Sequence, residues 1–265
     1  MAILKDLAQV LRIHEQGNTS LVVVMLGRTL GQFRIHAKGA RRWPKKGFEG
    51  GFDLLARGEI LLYPRRGDAL WLYKEWDEHA RPAVGQSAQM LHSASYLCEL
   101  TDSLTRHTAG SIEENTAVEN AALYDLLAAS AEALAQGAQR GSLMLIFTLS
   151  ALRIEGLLPD LESCAVCSGN TGKLAGRGNV WLFGQGVLCS NCFNAQKNRP
   201  DLARVRGVLL SAEAHRSLIF MQREMKPVKV TPAAARQLAR AQTVLVHGAL
   251  EHDLRTLHWS AEMKR

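Results

Sequence analysis

The first eighty residues carry hydrophobic positions with a period of two. In "QFRIHAK" (residues 32–38), Phe33, Ile35 and Ala37 alternate with Gln32, Arg34 and His36, the pattern of a strand with one buried face. "SLVVVML" (20–26) precedes it across the turn "GRTLG", and "GEILLY" (58–63) predicts a third strand. The turn "PRRGD" then joins that strand as a hairpin to a fourth at "ALWLYKEW" (69–76). Short strands with turn signals between them predict a small barrel, closed off by a linker at "DEHARPAVGQ" (77–86).

From Ser87 the period becomes helical. Three segments predict helices: "SAQMLHSASYLCELTDSLTRH", "TAVENAALYDLLAASAEALAQ" and "SLMLIFTLSALRIEGLLPD". In the first, Met90, Leu91, Ala94, Leu97 and Cys98 form a core-facing stripe; the third is apolar nearly all round, which predicts burial, and ends at Gly156 and Pro159. Helix resumes at "LLSAEAHRSLIFMQREM" (209–225) and at "TPAAARQLARAQTVLVHGALEHDLRTLHWSAEM" (231–263), where Thr231 and Pro232 suit the N-cap and first turn. No internal repeat is present. The organisation expected is a barrel over 1–80 and a helical domain over 81–265.

Between helices, at about 161–195, lies an insert of a different kind. It contains Cys164-x-x-Cys167 and Cys189-x-x-Cys192, separated by a glycine- and asparagine-rich stretch. Two thiolates two residues apart chelate one cation from a tight turn, and two such turns complete a tetrahedron. Two matched pairs in one short insert favour a zinc site over buried thiols or a single redox pair. Four protein ligands leave no position for an activated water, so the expected zinc is structural, one per chain. The fifth cysteine, Cys98, falls in an apolar helical pattern and reads as a core thiol.

Composition sets the class. With 265 residues and 47% hydrophobic content, the chain can bury a substantial core. "MAILKDLAQVLRIHEQ" has no signal-peptide core, and no apolar run approaches the ~18 residues of a membrane span, so a cytoplasmic protein with no membrane partner is expected. Paired metal-spaced cysteines also suit a reducing compartment.

The net charge of +7 changes the picture once it is located. Arg28, Arg34, Lys38, Arg41, Arg42, Lys45 and Lys46 stand in one segment without Asp or Glu, and the rest of the chain has 25 basic and 25 acidic residues. The excess therefore reads as one local patch facing a polyanion. Arg34 and Lys38 share one face of their strand, with Phe33, Ile35 and Ala37 on the other. Trp43 within this segment suits either stacking on a base or anchoring the loop, whereas Trp71, Tyr73 and Trp76 are expected to fill the barrel or the interdomain seam. The nine histidines form no ligand cluster and read as surface or core residues.

Several stretches together resemble the RecO family of bacterial recombination mediators: "GNTSLVVVMLGRTLGQFRIHAKGARR", "RGEILLYPRRGD", "YLCELTDSL", "ALYDLLAASAEAL", "LRIEGLLPDLESCAVCSG" and "HDLRTLHW". "AKGARR" and "GLLPDLESCAVC" are the most specific. "RWPKKGFEG" departs from the family's Ser/Lys/Arg-rich stretch, and "DLAQVLRIHEQGN" is a looser match to its first strand. The resemblance implies an α+β protein with an N-terminal OB-fold β-barrel followed by an α-helical domain carrying the inserted zinc module. It further implies binding of single- and double-stranded DNA and strand annealing in a nucleoid-associated bacterial protein. Partnership with RecR and single-strand-binding protein, and through them RecA, is implied as well. With it, Arg34, Lys38, Arg41, Arg42, Lys45 and Lys46 are the expected DNA contacts.

No Gly-x-x-x-x-Gly-Lys-Ser/Thr loop, carboxylate cluster or activated nucleophile marks an enzyme. The competing reading is a zinc-containing interaction adaptor, for example in transcription, whose basic loop contacts protein or RNA.

Overall fold

A computed structural model describes residues 3–40, 51–63, 70–106, 117–171, 179–198 and 205–257. The alternating segments form strands β1 (Leu4–Gln16), β2 (Ser20–Gly27), β3 (Gly31–Ala37), β4 (Arg57–Tyr63) and β5 (Trp71–Ala80). They close into a barrel in the order β1-β2-β3-β5-β4. The β3–β5 pair is parallel, with Ile35 opposite Trp71, and the other neighbours are antiparallel. This is the five-stranded OB arrangement. β1 serves both β2 and β4, and a register shift between Val10 and Arg12 gives it the bend that closure requires.

The inward residues behave as their spacing predicts. Val23, Met25, Phe33, Ile35, Ile60 and Leu62 are fully buried, and Phe33 stacks on Trp71 with ring centroids 5.4 Å apart. Tyr73 and Trp76 pack at the barrel's margin against Phe52, at 5.6 and 5.7 Å. β5 runs on to Ala80, so the first four residues of the expected linker are strand. Their polar side chains hide the pattern, but pairing with β4 continues from Ile60–Trp76 to Arg57–Ala80.

Residue contacts divide the chain into two compact units, Met1–Arg140 and Gly141–Arg265. The first holds the barrel with helices α1 (Ala88–Thr105) and α2 (Ala117–Ala135). The Ser87 hydroxyl caps α1 by accepting from the Met90 N–H at 3.1 Å. Ala94, Leu97 and Cys98 are buried as expected, but Leu91 is 45% exposed, because the buried face is centred on Ala94, Cys98, Thr101 and Thr105 and Leu91 sits at its edge in the first turn.

The second unit contains α3 (Arg140–Ile154), β6 (Val180–Phe183), β7 (Gly186–Leu188), α4 (Ser190–Gln196), β8 (Gly207–Leu210), α5 (Ala212–Glu224) and α6 (Pro232–Leu250). Two expectations are corrected here. Leu209 and Leu210 belong to β8, which pairs with β6, and helix starts only after the N-cap Ser211. The last helix stops at Leu250, because Glu251 turns left-handed (φ 58°) and its N–H bonds back to the His247 carbonyl. α3 is buried from Phe147 to Leu152, and its Thr148 and Ser150 hydroxyls donate to carbonyls one turn back at 2.7 Å.

Candidate metal centre and nucleic-acid face

The four cysteines of the insert converge: their sulfurs all lie within 4.8 Å of one another. Each pair is placed by a tight local structure. After Cys164, the chain bonds back through Ser168 N–H to the Cys164 carbonyl (2.8 Å) and Cys164 N–H to the Gly169 carbonyl (3.0 Å), with Ser168 left-handed at φ 55°. Asp160 fixes the approach, accepting from the backbone N–H groups of Glu162 (2.8 Å) and Ser163 (3.2 Å), which hold its carboxyl below the usual range. The second pair sits where β7 passes into α4: Cys189 is the N-cap and Cys192 lies in the first turn.

An aromatic wall supports that corner. Trp181 of β6 stacks on Phe193 of α4 at 5.4 Å and on Phe183 at 5.2 Å, beside buried Cys164, Leu188 and Cys189. Cys167, by contrast, is exposed.

The donor set fits a four-coordinate metal. A tetrahedron with metal–sulfur bonds of about 2.3 Å puts its sulfurs about 3.8 Å apart. Cys167 Sγ and Cys189 Sγ are 3.9 Å apart, and all four thiols are free of disulfide bonds. Burial by itself raises the Cys164 thiol, but backbone N–H groups of Cys167, Cys189 and Val166 aim at its sulfur and bring it down to about 6. Burial and hydrogen bonding to the other three sulfurs push Cys192 up to about 12. Four thiolates this close repel one another, and a cation at their centre is what lets all four ionise.

The second expected site is on the barrel. Arg34 is exposed on the outer face of β3 with His36 half-buried beside it, while Phe33, Ile35 and Ala37 are buried in the core; Lys38, expected on the same strand face, is exposed in the turn that follows Ala37, because the strand ends there. Arg41, Arg42, Lys45 and Lys46, as well as Trp43, lie outside the described residues. The other end of the same face is covered by α1 and α2. Gln32 Nε2 donates to the Asp102 carboxylate (2.8 Å), Asn120 lies under the left-handed turn at Gly31, and Arg28 makes a two-pronged bond to Asp125 (3.1 and 2.9 Å).

That last contact was not legible beforehand. Arg28, counted in the basic segment, is committed to a carboxylate 97 residues away, which raises its pKa through the hydrogen bond and charge of Asp125. Cys98 is a core thiol as expected, pushed well up by burial. His215 was passed over among the scattered histidines. It is fully buried, and its Nε2–H donates to the Leu161 carbonyl (2.8 Å) at the entry to the cysteine loop.

The family described as "Recombination protein O C terminal" matches residues 86–258, which spans α1 to the end of the described chain and includes all four cysteines. A protein named "DNA repair protein RecO" from Rhodopirellula baltica is 31% identical over 193 residues, covering 72% of this chain and 68% of that one. One from Moorella thermoacetica is 26% identical over 249 residues, 93% and 86% of the two chains. One from a Nocardioides species is 26% identical over 267 residues, 98% and 99%. The family match takes in more than half of the chain, and the chain belongs to the recombination protein O family.

Proposed function

We propose that this protein is a non-enzymatic DNA-repair mediator that binds single strands on its barrel and promotes their pairing. Family membership supports the repair and recombination role. The observation that supports the DNA reading is the pair of exposed cations at the end of β3, Arg34 on the strand and Lys38 in the turn after it, laid over a closed hydrophobic core. Solvated cations on an OB-type surface hold a phosphate backbone by releasing its condensed counterions, without reading base edges. Arg41, Arg42, Lys45 and Lys46 extend the same contact in this proposal.

The metal in this reading is one zinc held by Cys164, Cys167, Cys189 and Cys192. When bound it supplies rigidity, since four side chains complete its shell. The residues around it do the rest: Asp160 orders the first loop, and Trp181 and Phe193 brace the second. RecR, single-strand-binding protein and, indirectly, RecA are the proposed partners, so that the protein loads recombinase on covered strands. Among the described residues, no helix is long and apolar enough to cross a membrane.

Anisotropy of a labelled oligo-dT strand tests the proposal. Wild-type affinity should fall steeply with salt, and Arg34→Ala with Lys38→Ala should flatten the slope by about 0.7 per lost contact. An unchanged slope in a folded double variant would remove this pair from the DNA site.

A further inference from the structure

The net charge of +7 does not reside in the unit that holds the barrel. Residues 1–140 contain 16 Lys and Arg against 16 Asp and Glu, whereas residues 141–265 contain 16 against 9. The acids of the first unit equal its cations in number; among them Asp125 pairs with Arg28, Glu132 with Arg57 and Glu78 with Arg81. By count, the excess belongs to the second unit.

Within that unit the excess concentrates on α5, α6 and the seven residues joining them. From Arg206 to Arg240 stand seven basic residues and two acidic ones, Glu213 and Glu224. Two of the seven are neutralised, Arg206 by Asp253 and Arg223 by Glu162. Arg216, Lys226, Lys229, Arg236 and Arg240 remain, all exposed and in no ion pair among the described residues.

Helical spacing sorts them onto solvent faces. Arg236 and Arg240 lie four apart on α6, opposite buried Ala234, Leu238, Ala241 and Leu245. Arg216 and Phe220 lie four apart on α5, opposite buried Ala214, Leu218 and Met221, and Phe220 is 42% exposed. The two helices are locked together at their N-terminal ends. Gln237 Oε1 accepts from Ser211 N–H (3.0 Å) and hydroxyl (2.8 Å), and the Glu213 carboxylate accepts from Thr231 N–H (2.8 Å) and hydroxyl (2.7 Å). The second pair of bonds occupies one of the two acids, and lowers its pKa, leaving Glu224 as the only uncommitted carboxylate of the stretch.

We propose that the α5–α6 surface is a second nucleic-acid site, which takes the phosphate backbone of a strand without sequence preference. It rests on the reading above only in that annealing brings two strands to one protein. Charge complementarity argues for a nucleic acid over an acidic peptide. A carboxylate pocket needs a convergent, partly buried arginine fork, whereas these five cations are exposed and spread along two helices and their connection. That spread matches counterion release along a backbone, and Phe220 in line with Arg216 offers a stacking platform.

Photo-crosslinking of the full-length protein to oligo-dT containing 4-thiothymidine, with peptide mapping, tests this directly. Adducts are expected both near β3 and within 212–240. The variant Arg216→Ala, Lys226→Ala, Arg236→Ala, Arg240→Ala should lose the second set, keep the first, and bind one short oligo-dT strand where the wild type binds two. It should anneal more slowly, with metal content and circular dichroism unchanged, because all four side chains are exposed. Adducts at β3 alone, or a variant that still binds two strands, would overturn the second site and leave the barrel reading standing. Adducts at 212–240 alone would do the reverse, and none at either would sink both. Displacement of nothing but a polyglutamate probe by these substitutions would identify a protein-docking surface instead, and so overturn the proposal.

Discussion

Replacing Gly248 with alanine should destabilise the second unit, although the same change in a free helix stabilises it. Gly248 lies in the last turn of α6, against Gly184 in the turn between β6 and β7. A Cβ on Gly248 would lie 2.3 Å from Gly184 Cα, 2.8 Å from its carbonyl oxygen and 2.9 Å from its carbonyl carbon. All three are backbone atoms, so no side chain can swing aside. Relief requires the hairpin and the helix to separate. Helix propensity favours alanine by about 1 kcal/mol, and overpacking costs about 1–3 kcal/mol. The clash is with backbone, so the upper half of that range applies and the net loss is about 1–2 kcal/mol. For a domain of this size that lowers the midpoint of thermal unfolding by roughly 4–8 °C. The hairpin leads directly into Cys189, so its displacement also loosens the metal corner. Thermal unfolding and metal release to a chromogenic chelator should therefore change together, with a lower midpoint and faster release. A midpoint raised by the alanine, with release unaltered, would refute the packing of the hairpin on α6.

Other consequences are equally direct. Wild-type protein should contain about one zinc per chain, and Cys164→Ser should abolish it with loss of folded second unit, since metal binding at such a site is folding energy; elemental analysis with limited proteolysis reads both. Asp125→Asn should barely move thermal stability, as expected for an exposed ion pair, yet tighten oligo-dT binding by freeing Arg28; unchanged binding would show that Arg28 lies off the strand's path. His215 has its pKa lowered by burial, so it folds neutral. Its contribution is full above the unfolded value of about 6.5 and is lost as pH falls below it, because the unfolded chain then takes up the proton first. Wild-type stability should fall more steeply with acid than that of His215→Gln, and parallel pH profiles of the two would contradict the assignment.

The sequence made β3 and β4 legible because one face of each packs on the barrel core and the other is less buried, whereas β2 is legible as a β-branched run buried on both faces over Val23–Leu26. The last four residues of β5 were not, since "DEHA" shows no apolar face and is strand only because β4 runs beside it. β8 was misread for a related reason. Its Val208 and Leu210 are buried and Leu209 is 43% exposed, a two-residue period too short to stand out beside the helix that starts at Ala212. The glycine near the end of α6, Gly248, is inside the helix; the reversal falls on Glu251, a residue that rarely turns left-handed. The cysteine centre, in contrast, was readable in full as to its donors, because chelation from a tight turn is a local property. What remained hidden was its support, the Asp160 loop and the Trp181–Phe193 stack, whose parts are distant in sequence or have no fixed spacing.

Charge was legible as a count and misleading as a location. A window over 28–46 holds seven cations and no acid, yet one of them is bound to Asp125, and the unit around it is neutral. The potential at a surface is a sum over everything within about a Debye length, roughly 8–10 Å in ordinary buffers. Neighbours on that scale are set by the fold and not by sequence distance. The β3 surface therefore shares its surroundings with acids of its own unit: Asp125 holds Arg28 and Asp102 accepts from Gln32. The α5–α6 surface carries five exposed cations in no ion pair among the described residues against two acids, one of them tied to Thr231. Raising salt should consequently weaken attachment through α5–α6 at least as steeply as through the barrel, although the sequence draws the eye to the barrel alone.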